Sequence, residues 1–169
     1  MLSSKVQEAL NRQVNAELYS SYLYLSMAAH LEAENMRGMA QWMRVQSGEE
    51  TTHGMKIYDY IIERGGSVTL TRIDAPKTNW ASPVELFEDA YAHEQKVTAM
   101  INGLMDLVIA EKDHAGHDFL EWFVAEQVEE ESAALAIVEQ LKLVGDSGVG
   151  LYMIDRQLGQ RSPSAPAAE

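Results

Sequence analysis

Apolar residues recur at steps of three and four through four long stretches of this chain, the period of helices that bury one face. The first helix runs from Val6 to about Leu31, behind Ser4-Lys5-Val6-Gln7, which has capping-box form. Its inward line reads Leu10, Val14, Glu17, Ser21, Tyr24 and Ala28. Asn35 is placed to cap a second helix that runs to Arg64 and stops at Gly65-Gly66. That helix presents Met39, Met43, Gln46, Glu50, His53, Ile57 and Ile61. Ser82-Pro83-Val84-Glu85 opens a third helix reaching about Lys112, with Phe87, Ala90, Glu94, Val97, Ile101, Leu104 and Val108 inward. A polar link at Asp113-His114-Ala115-Gly116 returns the chain into a fourth helix that ends at Gly145. Its line is Phe119, Phe123, Gln127, Glu130, Ala134, Ile137 and Leu141.

Between Ser67 and Ala81 the helical period disappears, and Pro76, Asn79 and several Thr predict an extended connection. Some 16 residues at about 3.3 Å each reach roughly 50 Å, whereas a helix of about 28 residues is roughly 42 Å long. The connection can run the length of the bundle, which makes the second and third helices parallel. The prediction is an all-α four-helix bundle: two antiparallel hairpins joined by one long crossover. Leu151-Tyr152-Met153-Ile154 with Leu158 predicts a short fifth helix. Residues 1–158 then form one domain, and 159–169, poor in apolar residues, are expected to be a disordered tail.

Composition narrows the chemistry. The chain has 169 residues, enough for one domain with a single substantial core, and no Cys, which excludes disulfides, thiolate zinc sites and iron–sulfur centres. The available metal ligands are His, Asp and Glu. A formal net charge of −13 argues against nucleic acid or an anionic membrane as partner and favours cations. The start lacks an apolar stretch behind a basic one, and no run is long enough to span a bilayer, so a soluble, cytoplasmic protein is expected.

Each of the four inward stripes carries a polar break near its middle: Glu17; Glu50 with His53; Glu94; and Gln127 with Glu130. Glu50 and His53, three residues apart, project from one face with Cβ atoms roughly 5–6 Å apart, close enough to hold one ion. An unpaired buried carboxylate costs several kcal/mol, and no Lys or Arg lies in the central segments of these faces to offset it. Four glutamates match the charge of two divalent cations, and bridging carboxylates set a separation of about 3.5–4 Å, the geometry of two-metal sites. Oxygen-rich ligands with one imidazole suit iron or manganese, with zinc a competitor. Oxidation of two Fe(II) adds two positive charges that bridging oxide or hydroxide from O2 or water can offset, so ferroxidase chemistry is reasonable.

The chain closely resembles the ferritin family, in particular bacterial non-haem ferritins, over residues from about 3 to 158. The resemblance is carried by Asn15-Ala16-Glu17-Leu18-Tyr19, Glu49-Glu50-Thr51-Thr52-His53, Tyr91-Ala92-His93-Glu94 and the run from Trp122 to Glu131. It implies that Glu17, Glu50 and His53 bind a first iron, with Glu50 bridging, and that Glu94 and Glu130 bind a second, with Gln127 beside them. It implies further that Glu49, Glu126 and Glu129, together with Glu130, form a third iron site, and that Tyr24 stands next to the centre with Trp122 on the neighbouring turn. It also implies an enzyme that oxidises Fe(II) with O2 or H2O2 and a hollow homo-oligomeric shell of 24 subunits storing hydrated ferric oxide. Haem is not expected, because Thr51 stands where a haem-binding relative would carry a ligating Met, and Glu-x-x-His is not repeated on the fourth helix.

For Glu49, Glu126 and Glu129 the competing reading is solvated surface; the absence of a compensating Lys or Arg nearby in the sequence favours a site. His114 and His117 read as incidental turn residues, and the nine Met residues as packing. The rival for the whole chain is a catalytically silent acidic scaffold, and a second enzymatic rival is a di-manganese or mixed-metal oxidase.

Overall fold

The computed structural model describes residues 2–163 and contains five helices: α1 (Ser4–Ala33), α2 (Arg37–Glu63), α3 (Pro83–Ala110), α4 (His114–Val144) and α5 (Gly148–Leu158). Among the described residues there is no strand, and no helix is long and apolar enough to cross a membrane. The all-α bundle and short fifth helix expected from the pattern are borne out.

Local chemistry sets the helix ends, in two places differently from expectation. The cap of α1 is Ser3, whose Oγ accepts from the Val6 N–H at 3.3 Å, one residue before the Ser4 expected from the capping-box spacing. Asn35 does not cap α2. It takes φ +61° and closes α1 in a Schellman motif, with Met36 N–H donating to Leu31 O at 2.9 Å and Asn35 N–H to Glu32 O at 3.1 Å. Asn tolerates this left-handed conformation better than most side chains, so the residue that looked like a start serves as a stop. The same motif ends α2 at Gly65 (φ +72°) and α3 at Lys112 (φ +55°). Ser82 caps α3 as expected, while Glu85 reaches past it to the Ala81 N–H at 2.8 Å.

The crossover runs the length of α1. Asn11 binds Ser67 and Thr69, Asn15 binds Thr71 and Arg72, Ser26 binds the Lys77 carbonyl at 2.7 Å, and Trp80 meets His30 edge-on. Polar side chains on one face of α1 thus satisfy the backbone of a segment that forms no ladder of its own. Arg64 at the end of α2 pairs with Asp113 at the end of α3 at 2.9 Å, which makes these two helices parallel.

The core is divided. One apolar cluster holds Tyr24, Met27, Leu31, Met39, Met43, Leu86, Phe87, Ile137 and Leu141; the other holds Val6, Leu10, Val14, Ile57, Ile61, Val97, Ile101, Leu104 and Phe123. In every long helix the residues between the two clusters are the polar breaks. Met27, Met39 and Met43 are fully buried and serve as packing, whereas Met55, Met100 and Met153 are exposed and do not fit the expectation that the methionines pack the core.

Of the tail expected over 159–169, residues 164–169 lie outside the described residues. Gly159, Gln160 and Arg161 make backbone hydrogen bonds back to α5, and the Arg161 side chain reaches α2.

Candidate metal centre

Four helices deliver the polar layer: Glu17 from α1, Glu50 and His53 from α2, Glu94 from α3, Gln127 and Glu130 from α4. Glu17 and Glu50 are 1 % exposed and Glu94 is 2 % exposed, so solvent cannot stabilise their charge. Among the described residues, no Lys or Arg forms an ion pair with any of the four glutamates.

Their ligand atoms converge in two groups, each within 4.8 Å: Glu17, Glu50 and His53, and Glu50, Glu94 and Glu130. Glu50 belongs to both. Its Oε2 lies 3.6 Å from His53 Nδ1, and that nitrogen is 3.9 Å from Glu130 Oε1.

Neutral donors orient the carboxylates. Gln13 Nε2 donates to Glu17 Oε1 at 2.8 Å, and Gln46 Nε2 donates to both Glu50 Oε1 and Glu130 Oε1 at 2.9 Å. Gln127 Nε2 donates to Glu94 Oε2 at 3.2 Å, and the Tyr24 phenol donates to Glu94 Oε1. Amides and a phenol fix direction without cancelling charge, so the layer stays acidic. Glu17 Oε2 and Glu130 Oε2 are buried with no hydrogen-bond partner. Two orphaned carboxylate oxygens beside one imidazole, with no internal cation, are what hard divalent ions would satisfy.

Without ions, protons must serve instead. Burial, reinforced by Glu94, pushes the Glu50 carboxyl up to about 8, and burial with Glu50 and Glu94 pushes Glu130 higher still. Burial and Glu50 likewise hold Glu17 well above the usual carboxylate range, and burial raises Glu94. The Tyr24 phenol is raised by burial and by Glu94, which keeps it protonated and able to donate.

The flanking carboxylates divide. Glu126 is half-buried and joins His53 and Glu130 in a third group within 4.8 Å, while Glu129 is exposed. Glu49 is half-buried and ion-paired to Arg161, which overturns the expectation that no Lys or Arg lies near it. The cation comes from 112 residues downstream, beyond the reach of any helical spacing. Trp122 meets His53 edge-on with centroids 5.2 Å apart and carries Lys56 over its ring at 4.0 Å. His114 is exposed in the first turn of α4, and His117 faces Glu121 on its own helix.

Sequence reasoning gave Gln46 a place in the stripe without a role and passed over Gln13. A signal was present: Gln13-x-x-x-Glu17 and Gln46-x-x-x-Glu50 repeat one i, i+4 amide-to-carboxylate spacing on two helices. Ser21, placed on the inward line, is half-buried and bonds Ser47 and Thr51 across the α1–α2 seam; the buried hydroxyl is Ser20, at 2.8 Å from His93 Nε2.

A family model of the Ferritin-like domain matches residues 7–144. The bacterial non-heme ferritin of Bacteroides fragilis is 48% identical over 161 residues, covering 95% of this chain and 100% of the relative. That of Staphylococcus saprophyticus is 42% identical over 162 residues, covering 96% and 97%. Among solved structures, an engineered closed form of the Archaeoglobus fulgidus ferritin superimposes with TM-score 0.96 at 48% identity, covering 97% of this chain and all of that one. The open-pore ferritin of the same archaeon gives 0.95 at 48% identity, covering 96% and 100%. A core split by a carboxylate layer, a crossover along α1 and similarity to these proteins over nearly the full chain establish that the chain belongs to the ferritin family of iron-storage proteins.

Proposed function

We propose that this chain is a ferroxidase subunit that binds two Fe(II) in the polar layer, oxidises them to Fe(III) with O2 or H2O2, and stores the product as ferric oxyhydroxide inside a cage. The observation that carries the reading is Glu50, which links the group of Glu17 and His53 to the group of Glu94 and Glu130 and, with two carboxylate oxygens, is the natural bridge between two ions. Glu17 and His53 complete the first position, Glu94 and Glu130 the second, with Gln127 and Tyr24 orienting Glu94. Neutralisation is balanced: two divalent ions replace the protons that burial otherwise keeps on the four glutamates. Two Fe(II) lose two electrons, which with two protons reduce O2 to H2O2, or H2O2 to two waters. The carboxylates hold both donors beside one oxidant, so the two electrons leave together.

Glu126, grouped with His53 and Glu130 at the edge of the layer, supports binding of a further ion there, and Glu129 stands on the exposed side of the same helix. A cytoplasmic shell of 24 subunits is the assembly that the resemblance to bacterial non-haem ferritins supports.

Anaerobic Fe(II) titration followed by O2 tests the reading. Two tight ions per chain and fast oxidation are expected, and iron loading in air should give hollow particles with a dense core in electron micrographs. A silent acidic scaffold would show neither stoichiometric binding nor faster oxidation.

A further inference from the structure

The C-terminal end of the chain is locked onto α2. Asp155 Oδ1 accepts from the Met39 N–H at 2.8 Å, and a Cβ at Gly38 would lie 1.7 Å from the Asp155 carbonyl oxygen, so only glycine admits this approach. Gly159 packs less tightly on the same contact, with a Cβ there 3.0 Å from the Gly38 Cα. Arg161 follows, its N–H bonded to Leu158 O at 3.1 Å. Its guanidinium stacks over Trp42, 4.4 Å from the ring centre, and its Nη2 pairs with Glu49 Oε2. Trp42 and Glu49 are seven residues apart, two turns along one face of α2, and the arginine spans them.

We propose that Arg161 is a tethered cation that occupies Glu49 and withholds it from iron, so that any ion bound beyond the dinuclear centre is held by Glu126 with the unpartnered oxygen of Glu130. This rests on the ferroxidase reading of the dinuclear centre. The Arg161 and Glu49 side chains are 25% and 18% exposed, so the pair is shielded more than an ordinary surface bridge, and the aromatic face adds a second attraction. An ion arriving at Glu49 must displace a charge-assisted hydrogen bond and unstack the guanidinium, which weakens its binding by about tenfold to hundredfold. The alternative group is better prepared. Glu126 and Glu130 bring carboxylate oxygens within 4.8 Å of one another, and Glu130 is about nine-tenths buried with its Oε2 free of any hydrogen-bond partner. Arg161 thereby also sets a positive charge next to the carboxylate that adjoins Glu50, which limits repulsion between Glu49 and the bridge without adding a cation to the layer itself.

The test is anaerobic titration of the assembled full-length protein with Co(II), a probe that O2 chemistry does not complicate, counting ions by equilibrium dialysis and by visible absorption. In the otherwise unchanged chain, Glu49→Gln should leave ion number and affinity within twofold, whereas Glu126→Gln should lose the weakest ion. Arg161→Met, which keeps an unbranched stem over Trp42, should tighten that weakest ion by about tenfold or add one, and Glu49→Gln in the Arg161→Met background should remove the gain. A merely structural arginine would not show this reversal. The inference is overturned if Glu49→Gln alone weakens the third ion tenfold or more, or if Arg161→Met leaves every affinity unchanged. Should Arg161→Met not assemble, the Glu49→Gln result alone decides the matter. Fewer than two tight ions in the parent would overturn the ferroxidase reading, and this inference with it; two tight ions with no response to Arg161 would overturn this inference alone.

Discussion

Gln46 and Glu130 are joined across the bundle: the amide Nε2 on α2 donates at 2.9 Å to Oε1 of the carboxylate on α4, while the same nitrogen holds Glu50 Oε1 at 2.9 Å. One neutral donor thus sets the spacing of Glu50, which belongs to two of the carboxylate groups, and Glu130. Gln46→Leu keeps helix propensity and volume but frees both carboxylates. We expect metal affinity to fall by about 10–100-fold, the usual cost of losing a group that orients ligands. Anaerobic Fe(II) titration checks it, and an unchanged affinity would mean the ligands are fixed by packing alone.

Glu50→Ala should abolish the fast oxidation phase, because both ligand groups lose their common member, while the helical signal by circular dichroism persists. His53→Ala should weaken chiefly the first ion. Equal loss of both ions in a titration would show that the two groups are not separable positions.

The metal-free protein should lose stability as pH rises. The folded chain holds Glu50 near 8 and Glu130 higher, whereas an unfolded glutamate titrates near about 4.3. Between these values the folded state binds more protons than the unfolded state, so this contribution is complete below the unfolded pKa and is lost as pH climbs towards 8 and beyond. Excess divalent ion reverses the sign, since binding needs the deprotonated carboxylates. Thermal melts of chelator-treated protein at pH 6 and pH 8, with and without Co(II), measure both slopes.

Lys112 holds φ +55° at the end of α3, a conformation that costs a side chain roughly 1–2 kcal/mol and glycine almost nothing. Lys112→Gly should raise stability by up to about 1 kcal/mol after the greater freedom of the unfolded glycine is subtracted. Denaturant unfolding reads the difference, and a decrease would show that the exposed lysine makes contacts that outweigh its backbone strain.

Asp155→Ala should cost about 0.5–2 kcal/mol in docking of α5, the range for a lost helix N-terminal acceptor. Faster amide exchange confined to α5 and the first turn of α2 is the expected signature. Deletion of residues 147–169 should spare metal binding in the polar layer, because Glu17, Glu50, His53, Glu94 and Glu130 all lie on α1 to α4. Sedimentation then shows whether α5 is needed for assembly.

The four helices, the crossover and the acidic layer were legible in the sequence because each is a local regularity: apolar residues at steps of three and four, a lost period over 67–81, and one polar break per stripe at a matching height. The resemblance supplied the ligand assignments, and the helices bring Glu17, Glu50, His53, Glu94, Gln127 and Glu130 into one buried layer. What local pattern could not carry was decided by tertiary structure. Asn35 resembled a helix start but closes α1, since cap and stop residues draw on the same small polar side chains and only the backbone angle separates them. That Gln46 serves two carboxylates depends on the lateral spacing of α2 and α4. Arg161 meets Glu49 only because Gly38 lets α5 approach α2 at backbone contact, so a cation far along the chain arrives beside a carboxylate that looked uncompensated. Periodicity reports which face of a helix turns inward; which distant charge arrives beside that helix depends on how closely backbones can pack.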